Sequence, residues 1–300
     1  MDADKTTTAN PNAAVKSTGA QPMRVDVGSV LRQKLGRKSR YLPHFAVRIL
    51  ERIICQDRLN EILAHHGHLR GADFCKAALR ELNITVQVTG LDRLPPRTHR
   101  RVMFACNHPL GGPDGLALIQ FMHDYYGGEV FVVVNDILMA VDPLKDAFVP
   151  VNKHGAQRHD GARIFDSVLD SDNPVLFFPA GLVSRKRGGI IADLPWKRTF
   201  VNKAILSHRD IIPLYFSGTN SRTFYRLARL RERLGIKFNI EMIRLPRELV
   251  RLTDKTLTIN CGEMIPWAEL HGGKDVEKTV SRIREAVYAM APQTQNKKNI

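Results

Sequence analysis

Apolar residues in the first part of the chain recur at the spacing of a helix. Over residues 29–82 they return every three or four positions, and Ala46, Ile49, Leu50 and Ile53 fall on one face. Basic side chains crowd the same region. Such a helix either packs its apolar face on the core or lies in a membrane interface, and the pattern alone leaves both alternatives open.

Beyond residue 83 the pattern changes to short apolar runs that alternate with helical stretches. Runs of strand length occur at 84–88, 102–106, 130–134, 175–178, 211–216 and 257–260. Helical spacing covers 116–125, 161–169, 222–234 and 275–290. Asp275 is a candidate N-cap for the last of these helices. This alternation predicts an α/β fold: a mostly parallel central sheet flanked by helices, with an N-terminal helical segment.

These patterns divide the chain into three parts. Residues 1–25 are polar and hold few large apolar groups, so we predict a disordered tail. Residues 26–82 form a basic helical segment that is a candidate for membrane association, and residues 83–300 form the α/β domain. We see no secretory signal and no apolar run of about 18 residues, the length of a transmembrane helix.

The charge balance is strongly basic. The 300 residues hold 45 Lys and Arg against 30 Asp and Glu, a formal net charge of +15. Such a surface attracts polyanions, which include nucleic acid, anionic lipid and phosphate-bearing small molecules. Charge is the only support for nucleic-acid binding, because the chain has no zinc-finger, RNP or helix-turn-helix signature and only 7% aromatic residues. A serine hydrolase has less support, because no G-x-S-x-G elbow is present.

The thiols and histidines do not form a recognisable set of metal ligands. The four cysteines are widely spaced, with no C-x-x-C pair: Cys55, Cys75, Cys106 and Cys261. This spacing argues against a disulfide scaffold, a zinc ribbon and an iron–sulfur site, and it suits a reducing cytoplasm. His65, His66 and His68 cluster without further ligands nearby, and we interpret them as exposed histidines of a loop.

The most informative segment is residues 104–116, FACNHPLGGPDGL, where a predicted strand ends and a helix begins. Ligands bind at this edge of open α/β sheets. The two glycines at 111 and 112 permit turns that bring Asp114 back toward His108. A carboxylate on one ring nitrogen leaves the other free to take a proton from a hydroxyl, which suits attack of a substrate alcohol on an activated acyl group. The alternative is a plain turn with His108 hydrogen-bonded locally.

This segment resembles the first motif of the glycerolipid acyltransferases of the phosphatidic-acid-synthesis type. The likeness is closer to their hemolysin-like bacterial branch, which includes lyso-ornithine-lipid and glycine-lipid O-acyltransferases. That motif is Asn-His-x4-Asp, whereas five residues separate His108 from Asp114 here. The resemblance implies that His108 is the general base and that Asp114 or Asn107 orients it.

Three further segments resemble the later motifs of that family in the same order. Residues 148–153, FVPVNK, resemble the second motif, with Lys153 in place of an acceptor-binding Arg. Residues 178–185, FPAGLVSR, resemble the third, with Ala180 in place of its Glu, and residues 212–214, IPL, resemble the fourth. The substrate-binding residues implied by these matches are Asn107, Lys153, Gly181, Ser184, Arg185 and Lys186. The cations at 185–187 beside two glycines also suggest a phosphate grip, against a solvated basic loop as the alternative.

The resemblance implies an O-acyltransferase of bacterial membrane lipid synthesis that acts on a lyso-amino-acid lipid or a lysophospholipid. The acyl donor would be a thioester of coenzyme A or of acyl carrier protein, with no bound cofactor and no metal. The expected partners are these donors, the lipid acceptor and an anionic membrane surface rather than nucleic acid. The expected location is peripheral, on the cytoplasmic face of the inner membrane. The competing hypothesis is a basic protein that binds nucleic acid or anionic membranes without catalysis.

Overall fold

The computed structural model describes residues 24–36, 43–151 and 158–292. Its helices are α1 Val27–Leu35, α2 His44–Ile54, α3 Gln56–His66, α4 Gly71–Glu81, α5 Gly112–Tyr126, α6 Arg158–Asp170, α7 Thr199–Leu206, α8 Arg222–Arg233, α9 Leu245–Val250 and α10 Val276–Ala289. Its strands are β1 Thr85–Thr89, β2 Val102–Cys106, β3 Phe131–Val134, β4 Phe148–Pro150, β5 Val175–Phe177, β6 Arg185–Arg187, β7 Ile190–Ala192, β8 Asp210–Phe216 and β9 Thr256–Cys261.

Seven strands form one sheet in the order β1-β9-β8-β2-β5-β3-β4. All neighbouring strands run parallel except β8 and β9, which pair antiparallel. The first strand of the sheet therefore pairs with its last, with Thr85 opposite Thr256. Strands β6 and β7 form a separate antiparallel hairpin. The α/β prediction with a mostly parallel central sheet is confirmed.

Helices cover both faces of the sheet, which explains why β2 and β8 are apolar at almost every position and buried throughout. Alternate residues of β2 point to opposite faces. Phe104 belongs to the core cluster that includes α4 and α5, while Met103 and Ala105 belong to the cluster with α6, α7 and α10. The strand order places β2, and with it the carboxyl end of this strand, in the middle of the sheet.

The predicted strands and long helices are present, with differences in detail. The structure adds the edge strand β4 and the β6–β7 hairpin, which were not predicted as strands. Asp275 precedes α10, but its side chain bonds Lys278 Nζ at 2.9 Å instead of capping the helix. The tail predicted for residues 1–25 lies outside the described residues as far as residue 23. Val25 is ordered, because its N–H donates to Asn60 Oδ1 at 2.8 Å and its carbonyl accepts from Asn60 Nδ2 at 3.0 Å.

The N-terminal helices are not equivalent. Helices α3 and α4 pack into the main core through residues such as Ile62, Phe74 and Leu79. Helix α2 has no buried residue, and its Phe45 and Ile49 are 66% and 50% exposed. Ala46, Leu50 and Ile53 of the same stripe are half-buried, so α2 packs on neighbouring helices but adds no fully buried residue to the core. No helix of the described ranges has both the length and the apolar composition needed to span a membrane.

A fully buried arginine ties the start of β2 to the end of α6. Arg209 is 0% exposed, and its guanidinium donates to five backbone carbonyls. The acceptors include Val102 on β2 at 3.1 Å, Val168 on α6 at 3.0 Å and Asn173 before β5 at 2.8 Å. Burial, followed by the charge of Arg101, lowers the pKa of Arg209 to about 10. The guanidinium satisfies carbonyls that would otherwise be left without donors at the end of the helix.

Candidate active site

The residue that follows β2 joins it to β8. The side-chain amide of Asn107 donates to the carbonyl of Phe216 at 2.9 Å and accepts from the Phe216 N–H at 2.6 Å. Asn107 is 3% exposed, and both ends of its amide are engaged in these bonds. We therefore correct the expectation that Asn107 contacts substrate or orients the histidine, because its side chain fixes the start of the loop instead.

The predicted approach of a carboxylate to the imidazole is confirmed. His108 Nδ1 lies 2.9 Å from Asp114 Oδ2 at the carboxyl end of the sheet. The Asp114 side chain is fully buried, and the His108 side chain is 17% exposed. Their separation is an ion-pair distance without full hydrogen-bond alignment. Catalytic hydrogen bonds of this kind commonly tighten when substrate binds.

Asp114 is held in place because its side chain also caps the N-terminus of α5. Its Oδ2 accepts from the N–H of Leu110 at 3.0 Å and of Gly111 at 3.1 Å. A carboxylate at this position satisfies free N–H groups and is favoured by the helix dipole. Gly111 has φ of +98°, and a Cβ there would lie 3.0 Å from a methyl group of Leu245. The extra residue between His108 and Asp114 is accommodated by this glycine turn.

The ring of His108 is also positioned by an aromatic neighbour. Phe178, the first residue after β5, places its ring centroid 4.0 Å from that of His108 at an interplanar angle of 30°. The third motif therefore contributes a contact to the histidine that the sequence did not predict. Ala180, which stands in place of the family's Glu, is 3% exposed.

Asp193 holds the loop through hydrogen bonds, and no motif in the sequence pointed to this residue. Its carboxylate accepts from the N–H of His108 at 3.1 Å, the hydroxyl of Ser184 at 2.5 Å and the indole N–H of Trp196 at 2.9 Å. Burial raises the pKa of the Asp193 carboxyl, and these hydrogen bonds oppose that rise. Trp196 is thus a core residue rather than an interfacial one, at 5% exposure.

Replacing Asp193 with alanine is expected to lower the free energy of unfolding by about 3 kcal/mol, because three buried donors lose their acceptor. Denaturant titration followed by circular dichroism measures the change. Asp166→Ala is the matched control, since that carboxylate is 60% exposed and pairs with Lys203 at the surface, and the expected loss is below about 0.5 kcal/mol. Equal losses in the two variants would contradict the supporting role of Asp193.

The three cations of residues 184–190, which were predicted to grip a phosphate, are not brought together, because the segment forms the β6–β7 hairpin. Consecutive side chains of a strand point to opposite sides, so its three cations do not converge. Arg185 is 4% exposed and donates to Glu241 Oε1 at 2.8 Å, while Lys186 is exposed. Arg187 lies 3.5 Å from Glu232.

The other residues predicted to bind substrate differ in exposure, since two are buried and two lie at the surface. Ser184 is 1% exposed and its hydroxyl is engaged by Asp193, so Ser184 and Arg185 are corrected from substrate contacts to groups that position the loop. Gly181 and Lys186 are exposed and remain candidates. Lys153 lies outside the described residues.

The histidine cluster lies only partly in a loop: His68 is exposed in the turn after α3, whereas His65 and His66 belong to the helix. His65 and His66 end α3, and their ring nitrogens lie 3.1 and 2.7 Å from Glu81 Oε2. These three side chains have the ligand types of a metal site. Arg58 lies 3.0 Å from the other oxygen of Glu81, and its positive charge competes with a cation there.

A buried carboxylate facing a histidine at the carboxyl end of a mostly parallel sheet is the arrangement that general-base catalysis in an α/β enzyme requires. A family profile described as Acyltransferase matches residues 29–295. The chain belongs to this acyltransferase family.

Two relatives are similar along almost their whole length, and both are named lyso-glycine lipid O-acyltransferase. The protein of Phocaeicola vulgatus is 40% identical over 275 residues, which cover 92% of this chain and 98% of the relative. The protein of Bacteroides thetaiotaomicron is 38% identical over 266 residues, which cover 89% and 97%. The crystal structure of 1-acyl-sn-glycerophosphate acyltransferase PlsC from Thermotoga maritima aligns with a TM-score of 0.43 and 12% identity, over 84% of this chain and 95% of that one.

Proposed function

We propose that the protein is a lipid O-acyltransferase that transfers a fatty acyl group to the hydroxyl of a lyso-glycine lipid or a closely related lyso-amino-acid lipid. The observation that carries this proposal is the 2.9 Å separation of His108 Nδ1 and Asp114 Oδ2. The acceptor class is supported by the two relatives, whose names specify lyso-glycine lipid.

In this mechanism His108 acts as the general base. Asp114 holds the proton on Nδ1, so that Nε2 accepts the proton of the acceptor hydroxyl. The acceptor oxygen then attacks the carbonyl carbon of the acyl thioester and the C–S bond breaks. The thiolate leaves with the proton that His108 had taken, which returns the imidazole to its starting state. The products are the acylated lipid and a free thiol.

The donor is a thioester of coenzyme A or of acyl carrier protein, and the reaction needs no metal. Gly181 and Lys186 are the exposed residues proposed to contact substrate, with Lys153 proposed for the acceptor head group. The proposed roles of His108 and Asp114 do not depend on which thioester is used, because both donors present the same carbonyl carbon.

We place the protein at an anionic membrane surface, peripherally and on the cytoplasmic face of the inner membrane. Helices α2 and α8 both pack on the short helix Ile240–Arg244. The exposed apolar side chains in this region are Phe45, Ile49, Leu230, Leu234 and Phe238. Exposed arginines on α8 accompany them, and each basic residue near an anionic surface contributes about 1 kcal/mol of attraction. This combination supports a lipid surface over nucleic acid.

The proposed function is tested by substituting Asp114 with asparagine. The amide oxygen can still accept from the loop N–H groups, so the fold is retained, but the negative charge beside Nδ1 is lost. We expect kcat for acyl transfer to a lyso-glycine lipid to fall by about 100-fold, since the correct tautomer is no longer favoured. Product formation is measured by mass spectrometry.

Asp124→Asn is the matched control, because Asp124 lies on the same helix with its side chain exposed. Its turnover is expected to equal that of the unmodified protein. Unchanged turnover of Asp114→Asn would exclude the proposed mechanism. Absence of transfer by the unmodified protein with both donor types would exclude the proposed activity.

A further inference from the structure

A second feature that the mechanism does not use is a cavity of about 780 Å³ beside the N-terminus of α8. It lies between the junction of α2 and α3, the first turn of α8, and the segment that leads through α9. Five arginines line it: Arg52, Arg58, Arg244, Arg247 and Arg251. Only three carboxylates, of Glu51, Asp57 and Glu248, share the lining. The cavity is therefore cationic.

Three of these guanidiniums have no partner among the residues that the structure describes. Arg251 pairs with Glu248 at 3.1 Å, and Arg58 pairs with Glu61 and Glu81. Within ranges 24–36, 43–151 and 158–292, no carboxylate or hydrogen-bond acceptor engages the side chains of Arg52, Arg244 or Arg247. The Nε of Arg244 is buried and unsatisfied. A buried donor without an acceptor is costly, and an anionic ligand would supply the acceptor.

Two residues that are adjacent in sequence to the cavity wall contact the loop of the candidate active site. Ser221 in its wall follows Asn220, whose side chain donates to the carbonyl of Pro109 at 3.1 Å. Arg244 precedes Leu245, whose methyl groups pack on Gly111. Both contacts end on the loop that carries His108. The wall of the cavity is therefore linked, through Asn220 and Leu245, to the loop that carries the proposed general base.

The segment that presents Arg244 is itself held rigidly. Glu241, in the short helix Ile240–Arg244, is fully buried, with Arg185 2.8 Å from one carboxylate oxygen and Arg231 3.0 Å from the other. Arg185 comes from the hairpin that follows the third motif. This buried network fixes the helix from which Arg244 extends, so the cavity is preorganised for a ligand.

We propose that this cavity binds the phosphate end of the acyl donor, a refinement that rests on the proposed function. Coenzyme A and acyl carrier protein both carry the acyl thioester at the end of a phosphopantetheine arm, so a phosphate is the chemistry that they share. Guanidiniums bind phosphate oxygens in bidentate fashion, and the volume lies in the range of about 300–1,000 Å³ usual for small-molecule sites. The arm is a flexible spacer that lets the thioester reach His108 while the phosphate stays in the cavity.

The test compares two double variants that remove the same charge. Arg244→Gln with Arg247→Gln removes two cations from the cavity wall, and Arg80→Gln with Arg163→Gln removes two exposed cations outside it. Coenzyme A binding is measured by isothermal titration calorimetry, which does not require turnover. We expect the cavity variant to bind at least about tenfold more weakly, and the control variant to bind like the unmodified protein.

Steady-state kinetics separate the possible sources of the phosphate. A raised KM for acyl coenzyme A in the cavity variant, with unchanged KM for the lysolipid, supports the proposal with coenzyme A as donor. A raised KM for acylated acyl carrier protein alone supports the proposal with acyl carrier protein as the donor. A raised KM for the lysolipid alone, loss of binding to phosphatidylglycerol vesicles alone, or equal behaviour of the two double variants would overturn it.

Two further measurements keep the test decisive. Thermal unfolding establishes whether the double variant is folded. If the double variant is not folded, the single variant Arg247→Gln, at an exposed position, replaces it. If the unmodified protein transfers no acyl group, the proposed function fails. The calorimetric comparison would then still show whether the cavity binds coenzyme A.

Discussion

Replacing His108 with alanine is expected to lower kcat for acyl transfer by about 1,000-fold, the effect of removing a positioned general base. The acceptor hydroxyl would have to lose its proton to water, and the leaving thiolate would lose its proton donor. Initial rates at saturating donor and lysolipid measure the loss. The KM values are expected to change little, because the imidazole acts on the reacting atoms rather than holding either substrate.

The fold of this variant is expected to be intact. The loop is held by the backbone of His108, whose N–H donates to Asp193 and whose carbonyl accepts from Ser184, and alanine keeps both. His271→Ala is the control, since that side chain is exposed and far along the chain from the loop. Turnover of His108→Ala within a factor of about three of the control would rule out general-base catalysis by this residue.

Replacing Arg209 with methionine is expected to lower the free energy of unfolding by about 4 kcal/mol. Methionine fills part of the volume but donates no hydrogen bond, so the carbonyls of Leu169 at the end of α6, Val102 at the start of β2 and Asn173 before β5 lose this donor. Urea titration at neutral pH gives the difference. The amino end of the sheet, opposite the candidate site, is where the destabilisation arises.

Arg101→Met is the matched control for this prediction. Arg101 binds the neighbouring carbonyls of Ser207 and Asp170, but its side chain is 36% exposed and water can replace it. The expected loss is below about 1 kcal/mol. A similar loss for the two variants would show that burial of the Arg209 guanidinium is not what makes it important.

Much of the fold could be predicted because its signals are local. The apolar run of residues 102–106 coincides with β2, and the four residues Val276, Val280, Ile283 and Val287 at helical spacing are all buried on α10. The segment around His108 was also predictable, since the residues that meet are six positions apart and joined by glycines. Each of these inferences needed only neighbouring residues in the sequence.

The supports of the site could not be predicted, because they depend on distant segments. Asp193 is 85 positions from His108, and Asn107 binds Phe216 across a separation of 109. Arg185 resembles a substrate-binding residue of the third motif in sequence, yet its partner Glu241 lies 56 positions away and holds it inside the protein. A motif in sequence does not distinguish a side chain that meets substrate from one that meets a buried carboxylate.

The pairing of the first strand with the last has a consequence for how the chain folds as it is made on the ribosome. Strand β1 lies at the edge of the sheet and pairs with β9. Thr85 therefore cannot form its strand pairing until Thr256 has been synthesised. Until then the hydrogen-bonding edge of β1 is unpaired and open to other chains. Such long-range pairing slows folding and exposes intermediates to aggregation, so nascent-chain truncations that end before β9 are expected to need chaperones.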